Sequence, residues 1–162
     1  MLVKEAMTKP VETVSPDTSL LFVARRMKDA EIGCLPVTEN GSLLGIITDR
    51  DIACRGVAIS DNLADFKARD VMTSTVFTCA EGVELSEAVR TMVDRKVFHA
   101  PVIDRNKSVV GMLALPDIAL KAPAQLSQAL RPLMARDAER RQPEAKAAST
   151  GPRRAAKSHR SP

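Results

Sequence analysis

Gly45-Ile46-Ile47-Thr48-Asp49-Arg50-Asp51 and Gly111-Met112-Leu113-Ala114-Leu115-Pro116-Asp117 follow one pattern: a Gly, two apolar residues, a junction residue, then an Asp at the same offset. Working outward, the agreement continues. Pro36-Val37 falls on Pro101-Val102, and Leu20, Arg25, Met27 and Asp29 fall on Leu85, Arg90, Met92 and Asp94. At the start of each copy, Met7-Thr8 falls on Met72-Thr73, and Val11 and Thr13 fall on Val76 and Thr78. The shift is 65 residues upstream and 66 from the glycine on, so one residue is inserted between Pro101-Val102 and Gly111. That period is too long for a solenoid unit and suits a duplicated small domain.

Each copy reads strand, helix, strand, strand, helix. Val11–Val14 and Val76–Cys79 are short β-prone runs. Ser15-Pro16-Asp17-Thr18-Ser19 supplies turn and N-cap chemistry ahead of Leu20, Val23, Ala24 and Met27 at helical spacing, repeated as Leu85, Ala88, Val89 and Met92. Leu35-Pro36-Val37 and Ala100-Pro101-Val102-Ile103 predict second strands, with the prolines at a start or edge because Pro lacks a donor. Glu39-Asn40-Gly41 and Asp104-Arg105-Asn106-Lys107 are turn sequences. Leu43–Thr48 and Val109–Ala114 are apolar on successive residues, as strands buried on both faces are. The helices that follow open with Asp49-Arg50-Asp51 and Pro116-Asp117, acids or Pro in the first turn.

A chain of 162 residues, 44% apolar and 27% charged, has the composition of a globular protein. A half of this size is marginal alone, so the two halves are expected to fold as one body. With four Phe, no Trp and no Tyr, the core must be aliphatic and Met-rich. No apolar run approaches a membrane span, and Met1–Glu5 lacks the features of a signal peptide, which predicts a cytoplasmic protein. Cys34, Cys54 and Cys79 are scattered, and only His99 and His159 accompany them, so buried reduced thiols are expected and no metal site. The net charge of +4 is local: from Arg136 onward eight basic residues face three acidic ones, while the remainder holds 16 basic and 17 acidic. The sequence reading therefore divides the chain into repeat 1 (3–58), a linker (59–70), repeat 2 (71–122), a C-terminal helix (123–141) and a disordered basic tail (142–162).

Together the Met-Thr openings, the Pro-Val pairs and the two Gly-to-Asp stretches resemble the cystathionine-β-synthase (CBS) domain as a tandem pair, a Bateman module, over about residues 3–120. The resemblance implies an α/β (α+β) fold of two β-α-β-β-α repeats with pseudo-twofold symmetry, and two related clefts between them. It implies a regulatory module that binds an adenine nucleotide or adenosyl compound (AMP, ADP, ATP, NAD or S-adenosylmethionine, with Mg only beside a triphosphate). Such modules associate as homodimers and signal to a separate protein by conformational change; no catalytic residues are implied. Carried over, the first cleft joins Thr48, Arg50 and Asp51 to Thr75, Val76, Phe77, Phe98, His99, Ala100 and Pro101. The second joins Asp117 to Lys9, Pro10, Val11, Gly33, Cys34, Leu35 and Pro36.

The chemistry suits that role. Free N–H groups at a strand-to-helix junction attract phosphate, and a carboxylate one turn in accepts both hydroxyls of a ribose. In the second cleft the hydroxyl position is Ala114 and the Arg position is Pro116, so the first cleft is expected to be the stronger. One lost hydroxyl contact costs roughly 1 kcal/mol. Taken as residues alone, Asp51 and Asp117 also fit first-turn acids that ease the helix dipole, Thr48 an N-cap, and Phe98 a core residue. The alternative reading is a dimeric scaffold that meets nucleic acid through the basic tail; the tail has no aromatic residue for stacking.

Overall fold

The computed structural model describes residues 1–59, 62–132 and 134. The basic tail and the end of the C-terminal helix expected from the sequence lie outside the described residues. Helical residues do run from 123 to 132. No described helix is long and apolar enough to cross a membrane.

In chain order the elements are α1 (Val3–Ala6), α2 (Leu20–Asp29), β1 (Cys34–Glu39), β2 (Ser42–Thr48) and α3 (Asp49–Asp51), which runs on into a π-helical turn, Ile52–Val57. A short 3-10 turn (Leu63–Asp65) leads to α4 (Ala68–Val71), β3 (Cys79–Ala80), α5 (Leu85–Asp94), β4 (His99–Ile103), β5 (Val109–Ala114) and α6 (Leu115–Lys121). β1 and β2 form an antiparallel hairpin, closed by Asn40 and Gly41, both with positive φ (51° and 80°). That is the two-residue turn whose twist matches the strands. β4 and β5 form the matching hairpin, and β3 lies parallel to β4. The inserted residue sits in this second turn, where Asp104 Oδ1 accepts from the N–H groups of Asn106 (2.8 Å) and Ser108 (2.9 Å), and Lys107 takes φ 63°.

Each hairpin is backed by its helix. Leu20, Val23 and Met27 of α2 are buried with Leu35, Val37 and Ile47, and Leu85, Ala88, Val89 and Met92 of α5 with Ala100, Val102 and Leu113. Ser19 Oγ caps α2 by accepting from Phe22 N–H (3.3 Å). Gly45 and Ile47 of β2 are buried while Leu43, Leu44 and Ile46 are half-buried, so one face is fully covered rather than both.

The openings of the copies are exchanged. α1 packs against α5, α6 and β5, and α4 packs against β2 and the π-helical turn. Thr8 then bridges to Met112, and Thr73 to Ile46, each through a pair of backbone hydrogen bonds. These straps cross the two pattern glycines. A Cβ on Gly45 would stand 2.7 Å from Met72 Sδ and 2.9 Å from Thr73 O, and one on Gly111 would press on Met7 Sδ and Thr8 O. The paired Gly and Met-Thr signals are therefore two sides of one contact.

The prolines sit third in β1 and third in β4, inside the strands rather than at their starts. Pro36 faces Ile46 and Pro101 faces Met112, whose N–H groups donate to Thr73 O (2.9 Å) and Thr8 O (3.1 Å). No hairpin bond is lost. The missing donor acts on the other edge. Val14 is bonded to Pro36 O and to Thr38 N–H, so the next bond of a parallel ladder would need an N–H from residue 36 to the carbonyl of residue 12. Pro36 cannot supply it, and Pro101 likewise cannot reach residue 77. The predicted strands Val11–Val14 and Val76–Cys79 accordingly shrink to a bridge at Val14 and a two-residue β3, and the stretches before them leave the sheet.

Candidate functional site

The departing stretch at residues 10–12 opens a cavity of about 390 Å³. One wall is Thr8, Pro10, Val11 and Glu12; a second is Ala30 to Cys34, leading into β1; the third is His99, Met112, Ala114, Pro116 and Asp117 from the other repeat. Both repeats thus contribute. Val11, Ile32 and Met112 are apolar, and the polar groups are few, as in small-molecule sites. Thr8 Oγ1 donates to Asp117 Oδ2 (2.8 Å), so the strap over Gly111 also orients the carboxylate.

Of the residues assigned to this cleft from the sequence, Pro10, Val11, Gly33, Cys34 and Asp117 line the cavity. Leu35 and Pro36 are buried in β1, and Lys9 is exposed; none of these three lines it. His99, assigned to the other cleft, faces this one. Sequence reasoning missed Thr8, Glu12, Ala30, Glu31, Ile32 and Met112. The signal for the acids lay in the alignment of the copies, where Glu12 falls on Phe77 and Glu31 on Lys96, so the two sides differ in charge.

Around Asp51 the geometry is different. Thr48 Oγ1 donates to Asp51 Oδ2 (2.7 Å), Thr48 N–H reaches the same oxygen (3.0 Å), and Asp51 N–H donates back to Thr48 Oγ1 (3.1 Å). This reciprocal cap closes the start of α3. Asp51 Oδ1 meets Arg55 Nη1 at 3.4 Å, and that guanidinium also donates to Val71 O (3.0 Å) and Thr73 Oγ1 (3.3 Å). The Asp51 side chain is only 13% exposed. Arg50 and Thr75 are exposed, Ala100 and Pro101 are buried in β4, and Phe77 lies under the Arg95 guanidinium, 5.1 Å from ring centre to carbon. Val76 lines a separate depression of about 310 Å³ with Ser74, Thr78 and Leu44. Phe98 is 63% exposed, against the core placement expected of it. It occupies the position that Gly33 holds in the first copy, at the residue whose carbonyl accepts the N–H at the following helix start. At that position, just before β4, no second layer buries the ring, whatever its hydropathy.

Burial pushes the Cys34 thiol up to about 12, with help from Asp51 and Asp49, and the Cys79 thiol up to about 11. Both stay protonated at neutral pH and are poor nucleophiles. Among the described residues no group of three or more His, Cys, Asp or Glu is placed to hold a metal ion.

His99 is shifted the other way. Burial lowers its pKa below the usual 6.5, and the carboxylates of Asp49 and Asp117 draw it only part of the way back. The unfolded chain therefore takes up this proton first as the pH falls. Stability contributed by the neutral imidazole is whole above about pH 6.5 and lost as the pH drops toward the folded value. The melting temperature is expected to fall from about pH 7.5 to about pH 5.5, and His99→Gln to flatten that slope. Identical slopes in thermal melts of both proteins would refute the assignment.

The CBS domain family model matches residues 3–55 and 68–122. The chain is 35% identical over 118 residues to the CBS domain-containing protein YhcV of Bacillus subtilis, an alignment covering 73% of this chain and 83% of that protein. It is 34% identical over 117 residues to MK0525 of Methanopyrus kandleri, covering 72% of this chain and 60% of that protein. Among solved structures, the CBS domain pair of protein MJ0100, in complex with 5′-methylthioadenosine and S-adenosyl-L-methionine, superposes with a TM-score of 0.66 at 30% identity, covering 74% of this chain and 94% of the other.

Proposed function

The chain belongs to the CBS-domain family, and from that premise we propose that it is a ligand-sensing regulatory module whose principal site is the cavity beside Asp117. An adenosine-type ligand lies between the repeats. The observation that carries this reading is the cavity itself, about 390 Å³, walled by both repeats with a carboxylate at one end and apolar side chains beside it. Val11, Ile32 and Met112 suit the faces of a base. Asp117 keeps acceptor capacity for a ribose diol beyond its bond to Thr8, since a carboxylate offers about four lone-pair positions. The MJ0100 pair, which carries adenosyl ligands, supports the class of compound.

This reverses the order drawn from the sequence, in which the Thr48–Asp51 cleft ranked first. Asp51 Oδ2 already accepts two bonds from Thr48, Oδ1 faces Arg55 at 3.4 Å and the side chain is only 13% exposed, so a ribose there has less acceptor room than at Asp117. That side is a secondary position. The ligand works as a signal because two arrangements of the repeats hold it with different affinity. A partner protein reads the difference. On the outer side of α2, Leu21 (38% exposed) and Phe22 (52% exposed) supply apolar surface for a homodimer.

Thermal shift and calorimetry with a panel of adenosyl compounds test the proposal on wild type, Asp117→Ala and Asp51→Ala. A ligand at a hundred times its dissociation constant stabilises by about 2.7 kcal/mol. Wild type and Asp51→Ala should both show that stabilisation, and Asp117→Ala should bind about tenfold more weakly or worse. Equal binding by wild type and Asp117→Ala would refute the site.

A further inference from the structure

The charges around the cavity say more about its ligand than its shape does. We infer that the cavity beside Asp117 takes a phosphate-free adenosine-type nucleoside, one whose 5′ end is uncharged or cationic, in preference to AMP, ADP or ATP. This rests on the reading of the cavity as an adenosyl site.

Three carboxylates line it, Glu12, Glu31 and Asp117, and no Lys or Arg does. Arg26 and Lys121 beside it are already paired, and Lys9, between Thr8 and Pro10, is exposed and does not line it. Arg26 Nη2 pairs with Glu12 Oε2 at 2.7 Å, and Lys121 Nζ, one turn beyond Asp117, donates to Ala6 O at 2.9 Å. Even with Glu12 neutralised by Arg26, Glu31 and Asp117 remain. His99, lowered by its burial, is neutral at pH 7 and adds no positive charge.

The donors that usually hold phosphate are also fewer at the helix start. Ala114 has no hydroxyl, Pro116 has no N–H, and the Leu115 N–H is used by Phe98 O at 3.0 Å. A phosphate group would bring up to two negative charges into a partly enclosed space, against like charge and with few donors. A hydroxyl, a thioether or a sulfonium meets no such penalty, and a cationic 5′ end gains from the same carboxylates. The Asp51 side differs: Arg55 pairs with its carboxylate and the Thr48 hydroxyl stands at the junction.

Calorimetric titration of the full chain at low salt with adenosine, 5′-methylthioadenosine, S-adenosylmethionine, AMP, ADP and ATP tests this. The first three are expected to bind about tenfold or more tightly than AMP, with ADP and ATP weaker again. Glu31→Gln should narrow the gap between adenosine and AMP, and so should about 0.5 M salt, which screens the repulsion. AMP binding as tightly as adenosine, or an unchanged gap in Glu31→Gln, overturns the inference and leaves the adenosyl reading in place. Failure of all six compounds to bind wild type overturns that reading, and the inference with it.

Discussion

Gly45→Ala is expected to destabilise the protein by about 2 kcal/mol or more, although it adds a single methyl group to a strand. The new Cβ would lie 2.9 Å from Thr73 O, a distance that real Cβ atoms essentially never show. Met72 Sδ, 2.7 Å away, is the end of a flexible side chain and can turn aside. Thr73 O is backbone and cannot move alone. It accepts from Ile46 N–H at 2.9 Å, and Thr73 N–H donates to Ile46 O at 2.9 Å, so relieving the clash breaks both. Gly82→Ala is the control. Its Cβ would meet nothing within 4 Å and its φ is not positive, so it should lie within about 0.5 kcal/mol of wild type. Urea denaturation of both variants decides the matter; a Gly45→Ala midpoint as close to wild type as that of Gly82→Ala would refute it.

Leu20→Ala should cost more, about 3–4 kcal/mol. Leu20 is the first residue of α2, fully buried, and its N–H donates to Phe66 O at 2.8 Å. Its side chain lies against Gly56, near the end of the π-helical turn; a Cβ there would stand 2.7 Å from Leu20 Cδ2 and 3.1 Å from Leu63 Cδ2. Truncating Leu20 removes apolar contacts and leaves a space next to that glycine. Gly56→Ala alone is expected to overpack the contact, and in the Leu20→Ala background it should partly fill the space. The double variant should recover about 1 kcal/mol relative to the sum of the singles. Strict additivity in a denaturation cycle would show that the two residues do not share this contact.

The two outcomes bear on how far the residues could be read directly. The duplication, the hairpins and the helices α2 and α5 were legible because apolar spacing repeats in register, and burial of Leu20, Val23 and Met27 follows that spacing. The small helices α1 and α4 were not, although the same shift sets Glu5 on Asp70. Each acid accepts the N–H three residues back, Leu2 at 2.5 Å and Lys67 at 2.8 Å. Four residues are too few for a periodic signal, and their partners lie far away in sequence. Which copy an opening packs against is a long-range fact, carried by Gly111 beside Met7 and Gly45 beside Met72.

The position of the cavity was legible through Pro10, Val11, Gly33, Cys34 and Asp117, but its standing against the other cleft was not. Ala114 and Pro116 argued against the second cleft by what they lack. The deciding features were the stretch that Pro36 releases from the sheet, the small Gly33 on its rim, and the closure of Asp51 onto Thr48 and Arg55. A Thr and an Asp three residues apart at a helix start can cap each other or hold a ligand, and the spacing is the same for both.

The exchange of openings has a consequence for ancestry and assembly. A single copy of this unit would carry an arm with nothing to grip and a glycine left bare. Two copies trading arms satisfy both, but as separate molecules they come apart on dilution. Joining them in one chain replaces that dependence with a fixed, high effective concentration. It also lets the halves drift apart in chemistry, so that the two seams carry different side chains within a shared frame.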